Sequence, residues 1–109
     1  LRAAADDMRA TGTTDPPAMA TANLRFHEAL WAAGHNATLV ELLERLEAHV
    51  ARYPETTLSD PGRWATALAE HDAIVAAVTD RDEERARHLA EAHMTAARDI
   101  RLRHALNAP

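Results

Sequence analysis

Helix-breaking residues in this chain gather at three places, Gly12 to Pro17, Gly34 to Asn36 and Pro54 to Gly62, and that punctuation constrains the fold more than any other feature. Between the breaks, apolar side chains recur at three- and four-residue spacing, and no stretch alternates with period two. Alanine, the strongest helix former, supplies 26 of the 109 residues, against three glycines. The pattern specifies an all-α chain: an antiparallel helical bundle of about five helices joined by short connections.

Local signals divide the chain further. A short first helix is expected over residues 1–11, stopped by Gly12. Asp15-Pro16-Pro17 reads as an N-cap followed by proline in the first turn. The second helix then runs to about Ala33, with Gly34 expected as its left-handed stop. Asn36 caps a third helix with the apolar stripe Leu39, Leu42, Leu43, Leu46, Val50 and Tyr53, ended by Pro54. Asp60-Pro61 repeats the cap-plus-proline signature and opens a fourth helix reaching about Thr79. Asp80 or Asp82 caps the fifth, where Glu83 and Glu84 suit the positive end of the helix dipole.

Charge and composition exclude several classes of function. Seventeen acidic residues face twelve basic ones, all arginine, for a net charge of −5. Such a chain is a poor binder of nucleic acid by itself, because neutralising phosphates needs clustered positive charge. There is no cysteine, which removes disulfides, thiolate metal sites and thiol nucleophiles and is consistent with a reducing cytoplasm. No apolar run approaches the ~20 residues of a membrane helix. The first residue, Leu1, is not an initiator methionine, so the chain reads as a processed form or a piece of a longer one.

Seven histidines are the chemically informative residues. On the second helix His27 shares an apolar face with Asn23, Leu24, Leu30 and Trp31. On the fourth, His71 lies inside the stripe Leu68, Ile74, Val75 and Val78. On the fifth, His93 lies inside the stripe Ala86, Leu89, Ala96, Ala97 and Ile100. A single histidine on an apolar face is usually a core residue whose nitrogens find ordinary hydrogen-bond partners. Three of them on three helices admit a second reading, a shared divalent ion that satisfies all of them, joined by the Asn23 amide oxygen one turn before His27. Nitrogen and oxygen donors suit zinc, nickel or another first-row divalent metal. His88, His35 and His104 read as bystanders, on the solvent face, in a turn and near a fraying end. His49 lies at the edge of the third helix's stripe, where it either packs or lines a pocket.

These residues carry a resemblance. Asn23-Leu24-Arg25-Phe26-His27, Gly34-His35-Asn36 with the leucine-rich helix after it, Glu70-His71-Asp72-Ala73-Ile74, Asp82 with Ala86, and Ala92-His93-Met94 resemble, in order and spacing, the FCD domain. That is the ligand-binding domain of the FadR subfamily of GntR-type bacterial transcription regulators, and the likeness spans about residues 19 to 100. The resemblance implies a divalent metal, with zinc expected first and nickel or manganese also suited, held by Asn23, His27, His71 and His93. Where the family more often has aspartate this chain has Asn23, a weaker ligand that leaves more positive charge on the ion and favours an anionic effector. The resemblance further implies a small carboxylate effector, homodimerisation, a cytoplasmic location, and control of a separate N-terminal winged helix-turn-helix domain that this chain lacks. Residues 1–109 are thus expected to form a single, partial effector-binding and dimerisation domain. His49, Arg52 and Tyr53, at the end of the third helix, are the candidate effector contacts, Arg52 through a bidentate guanidinium. Surface ion pairing is the ordinary alternative for Arg52.

Two other classes compete. A plain helical dimerisation module would hold its histidines without metal. An HD-type metal-dependent phosphohydrolase would use the dipeptide His71-Asp72 with His27, but Asp72 is turned ~100° around the helix from His71 and no further in-line carboxylate is present. The only serine, Ser59, sits in a proline-flanked loop without a patterned partner, so a nucleophilic triad finds no support and a non-catalytic protein is expected.

Overall fold

The computed structural model describes residues 1–50 and 57–107, the side chains of His49 and Val50 excepted. The described residues are all-α, with five helices, one 3-10 turn and no strand. They fall into two compact units, Leu1–Thr56 and Thr57–Pro109.

The first unit holds α1 (Arg2–Ala10), α2 (Pro16–Ala33) and α3 (Ala37–Val50). Helix α1 packs along α2, and α2 meets α3. Ala5 and Met8 on α1 and Met19 and Phe26 on α2 are buried. The start of α2 follows the expected chemistry: Asp15 is its N-cap and accepts a hydrogen bond from the Ala18 amide at 3.2 Å. Asn36 likewise accepts from the Leu39 amide at 3.0 Å and caps α3. Each supplies an acceptor for a backbone donor that the helix cannot satisfy internally.

One expectation for this unit is corrected. Gly34 is not left-handed, for it keeps a right-handed backbone (φ −77°), and the left-handed residue is His35 one position later (φ 53°). The turn instead uses the smallness of Gly34, since a Cβ there would stand 3.3 Å from the Trp31 carbonyl oxygen. The leucine stripe of α3 is largely uncovered: Leu39, Leu42 and Leu46 are at least half exposed, and Leu43 is half-buried. A helical stripe records which side chains share a face and leaves open what, if anything, covers it. The expected stop at Pro54, and Tyr53 within the stripe, lie outside the described residues.

The second unit holds a 3-10 turn (Thr57–Ser59), α4 (Arg63–Thr79) and α5 (Glu83–Asn107). The two helices form an antiparallel hairpin, shown by the pairs that face each other, His71 with His93 and Asp60 with His104. Trp64, Ala67, Ile74, Val75 and Ala77 of α4 are buried together with Ile100 of α5, and Leu58 of the 3-10 turn is buried as well. The connection is a tight helix stop: Arg81 adopts φ 56°, its amide bonds the Val78 carbonyl, and the Asp82 amide bonds the Ala77 carbonyl. That is the pairing of a Schellman motif with arginine in the left-handed position. Asp82 then caps α5 through the Arg85 amide, at 3.1 Å.

Asp60 does not cap α4. The helix begins at Gly62 (φ 79°), with no side-chain cap. The Asp60 carboxylate instead meets His104 Nε2 at 2.6 Å, so His104 has a defined partner rather than a bystander's place. The hairpin register draws Asp60 away from the amides it would otherwise cap.

Candidate metal centre

The second unit buries two imidazoles side by side. His71 is wholly buried on α4 and His93 nearly so on α5. Their Nε2 atoms stand 3.1 Å apart, with ring centroids 4.6 Å apart and planes inclined at 69°. Both positions follow from the helix faces, since each histidine occupies a step in an apolar stripe that the hairpin turns inward.

A third residue fixes the pair. Glu70 Oε1 lies 2.6 Å from His93 Nδ1, and the Arg63 guanidinium donates to the same carboxylate at 3.1 Å. Arg63 is itself buried, two helical turns before Glu70. A carboxylate accepts and does not donate, so His93 presents Nδ1–H to Glu70 and its Nε2 is the accepting nitrogen. In the metal-free chain the 3.1 Å contact between the rings is then His71 Nε2–H donating to His93 Nε2. Neither Arg63 nor Glu70 belongs to the ligand set that the helix faces and the family resemblance imply. Their seven-residue separation on one helix face was the available signal.

The pair suits a divalent ion as well as it suits a hydrogen bond. Two imidazole nitrogens each about 2.0–2.1 Å from one first-row ion, at octahedral or tetrahedral angles, stand roughly 2.8–3.4 Å apart. The observed separation falls in that interval. A ligating histidine ordinarily donates its other N–H to a carboxylate, the part Glu70 plays here.

The other two expected ligands lie on α2 of the first unit. Asn23 and His27 are one turn apart, on one side of the helix and half-buried, and the His27 ring meets the Phe26 ring edge-on at 5.6 Å. The Asn23 Oδ1 atom is buried and has no hydrogen-bond partner among the described residues. A buried acceptor left unsatisfied costs about 1–3 kcal/mol, so such an atom calls for a missing partner. An amide oxygen in that state fits the donor set a divalent ion requires. Of the candidate effector contacts, Arg52 and Tyr53 lie outside the described residues, as does the His49 side chain. His88 is exposed on α5 and His35 is exposed in the turn after α2, the places their spacing predicts.

Fold and site together define an all-α domain with a buried histidine pair braced by a carboxylate. A family model for the FCD domain matches residues 1–96, and the chain belongs to the FCD domain family. The match begins earlier than the motif resemblance did and takes in α1. The family is a regulatory, ligand-binding one and not a catalytic one. No curated protein and no solved structure matches the chain. Among the described residues no helix is long and apolar enough to cross a membrane.

Proposed function

We propose that this chain is the effector-sensing domain of a bacterial transcription regulator of the GntR type, FadR subfamily, and that it senses a small organic acid through a bound divalent metal. Membership of the FCD family supports a regulatory, ligand-binding role. The observation that carries the metal reading is the His71–His93 pair, two buried Nε2 atoms 3.1 Å apart with Glu70 on the far nitrogen of one ring. The unpartnered Asn23 oxygen supports it independently.

In this reading Asn23, His27, His71 and His93 hold the ion, with zinc expected first and nickel or manganese as alternatives. When bound, the ion supplies a positive docking point for an effector carboxylate. Asn23 contributes a neutral oxygen where aspartate would contribute a charge, so the site keeps more positive charge and favours an anion. Arg52, with His49 and Tyr53, is assigned to the effector's far end. Effector binding is linked to DNA binding through a winged helix-turn-helix domain outside this chain: a ligand that prefers one conformer moves the population toward it. The regulator works as a homodimer in the cytoplasm, and the exposed leucines of α3 support association between copies.

A thermal-shift screen of small carboxylates, with and without added zinc, nickel or manganese, tests the proposal. Stabilisation that needs both metal and acid is expected, since a ligand that binds only the folded state raises its apparent stability. Stabilisation by neither, in a chain free of metal by elemental analysis, would leave a plain helical dimerisation module.

A further inference from the structure

We propose that Glu70, clamped by the buried Arg63, is a positioning residue that holds His93 in the one tautomer able to ligate a metal through Nε2. The assignment rests on the metal reading above and extends it to two residues outside the ligand set.

His93 is buried. A neutral imidazole has two tautomers, and a buried one takes whichever satisfies its neighbours. Beside Nδ1 stands an oxygen at 2.6 Å, an acceptor with no proton to give. That contact places the proton on Nδ1 and turns the Nε2 lone pair toward His71. Were the carboxylate to swing away, His93 would be free to protonate Nε2, and the inward nitrogen would lose the lone pair it needs.

Arg63 prevents the swing. Its guanidinium contacts both Glu70 oxygens, each at 3.1 Å from the same nitrogen. The arginine side chain is only 5% exposed whereas that of Glu70 is 26% exposed, so the cation is the more firmly held partner. Its Nε is buried without a partner among the described residues, which leaves the guanidinium anchored at Glu70. Arg63 is the first residue of α4 and Glu70 lies two turns on. The clamp therefore also ties the orientation of a histidine on α5 to the first turn of α4.

The test uses the 109-residue chain and two readouts. Long-range proton–nitrogen NMR of the metal-free protein reports the tautomer of His93, and competition titration reports the zinc Kd. Wild-type chain should show His93 protonated on Nδ1. The double variant Arg63→Met/Glu70→Leu removes both charges together, so no uncompensated charge stays buried. It should lose the Nδ1–H preference and bind zinc roughly 10- to 100-fold more weakly, the usual effect of removing a residue that orients a ligand. Glu70→Gln keeps an acceptor and should recover most of both signals. A folded double variant that keeps the Nδ1–H tautomer, or binds zinc within about twofold of wild type, overturns the proposal. If the double variant does not fold, Glu70→Ala, which leaves no acceptor beside Nδ1, decides alone: a lost Nδ1–H preference with a Kd raised about threefold or more supports the role, and an unchanged tautomer or Kd overturns it. Wild-type chain that binds no zinc refutes the metal reading by itself, while the tautomer readout still decides whether Glu70 positions His93.

Discussion

His71 and His88 carry the same side chain and differ in what surrounds it. His71 is wholly buried and faces another imidazole, whereas His88 is exposed on the outer side of α5. His71→Ala should therefore abolish metal retention, and His88→Ala should leave it unchanged, as read by elemental analysis of the purified variants. Equal losses would contradict the division by helix face. That division was legible in the sequence because a helix repeats every 3.6 residues, so the stripe position of His71 and His93 follows from spacing alone. The roles of Glu70 and Arg63 were not legible. A carboxylate beside an inward histidine acquires a function only when a partner on another helix reaches it, and no local pattern says which partner that is. His104 shows the same limit, since Asp60 precedes it by 44 positions in the chain.

Among the elements, the helices whose ends are capped by a side chain were the easiest to read. Asp15, Asn36 and Asp82 each bond an amide three residues on, and a contact of that range is fixed by local sequence. The stops that depend on backbone handedness were read less well. His35 and Arg81 carry the positive φ angles at the ends of α2 and α4, and Gly62 carries one at the start of α4. Gly62→Ala should lower stability by about 1 kcal/mol, because a Cβ disfavours the left-handed region. His35→Gly should raise stability by roughly 0.5 kcal/mol, the relief of that strain less the added freedom of the unfolded chain. Chemical denaturation of the two variants checks both signs. Helix α3 marks a different limit of local pattern. Its leucines share a face as the spacing predicts, yet three of them remain at least half exposed, because burial depends on a neighbour and periodicity does not supply one.

For the molecule as a whole, the proposed chemistry makes metal content depend on pH. Ligation requires neutral imidazole, and free histidine protonates near pH ~6.5. Lowering the pH adds protons that compete with the ion for the ring nitrogens. Occupancy measured after dialysis should hold near neutral pH and fall steeply below about pH 6. Occupancy unchanged down to about pH 4 would contradict histidine ligation. Stability linked to the metal should fall in the same window, since an ion that binds only the folded chain stabilises it in proportion to its occupancy.

The sequence by itself determined the all-α class, the helix positions, the faces on which the histidines fall and the family resemblance. Each of these rests on interactions within a few residues, where the i to i+4 hydrogen bond and the side-chain period leave little choice. The tertiary structure decided which residues meet. Within the second unit, the tight stop at Arg81 and Asp82 sets the register of α5 on α4. His71 and His93 lie equally far from Asp82 on either side, as do Asp60 and His104. That register joins the imidazoles, gives Glu70 its histidine, and takes Asp60 from the helix it was expected to cap. Register depends on the geometry of a whole turn and on how two surfaces fit, and a one-dimensional pattern carries neither.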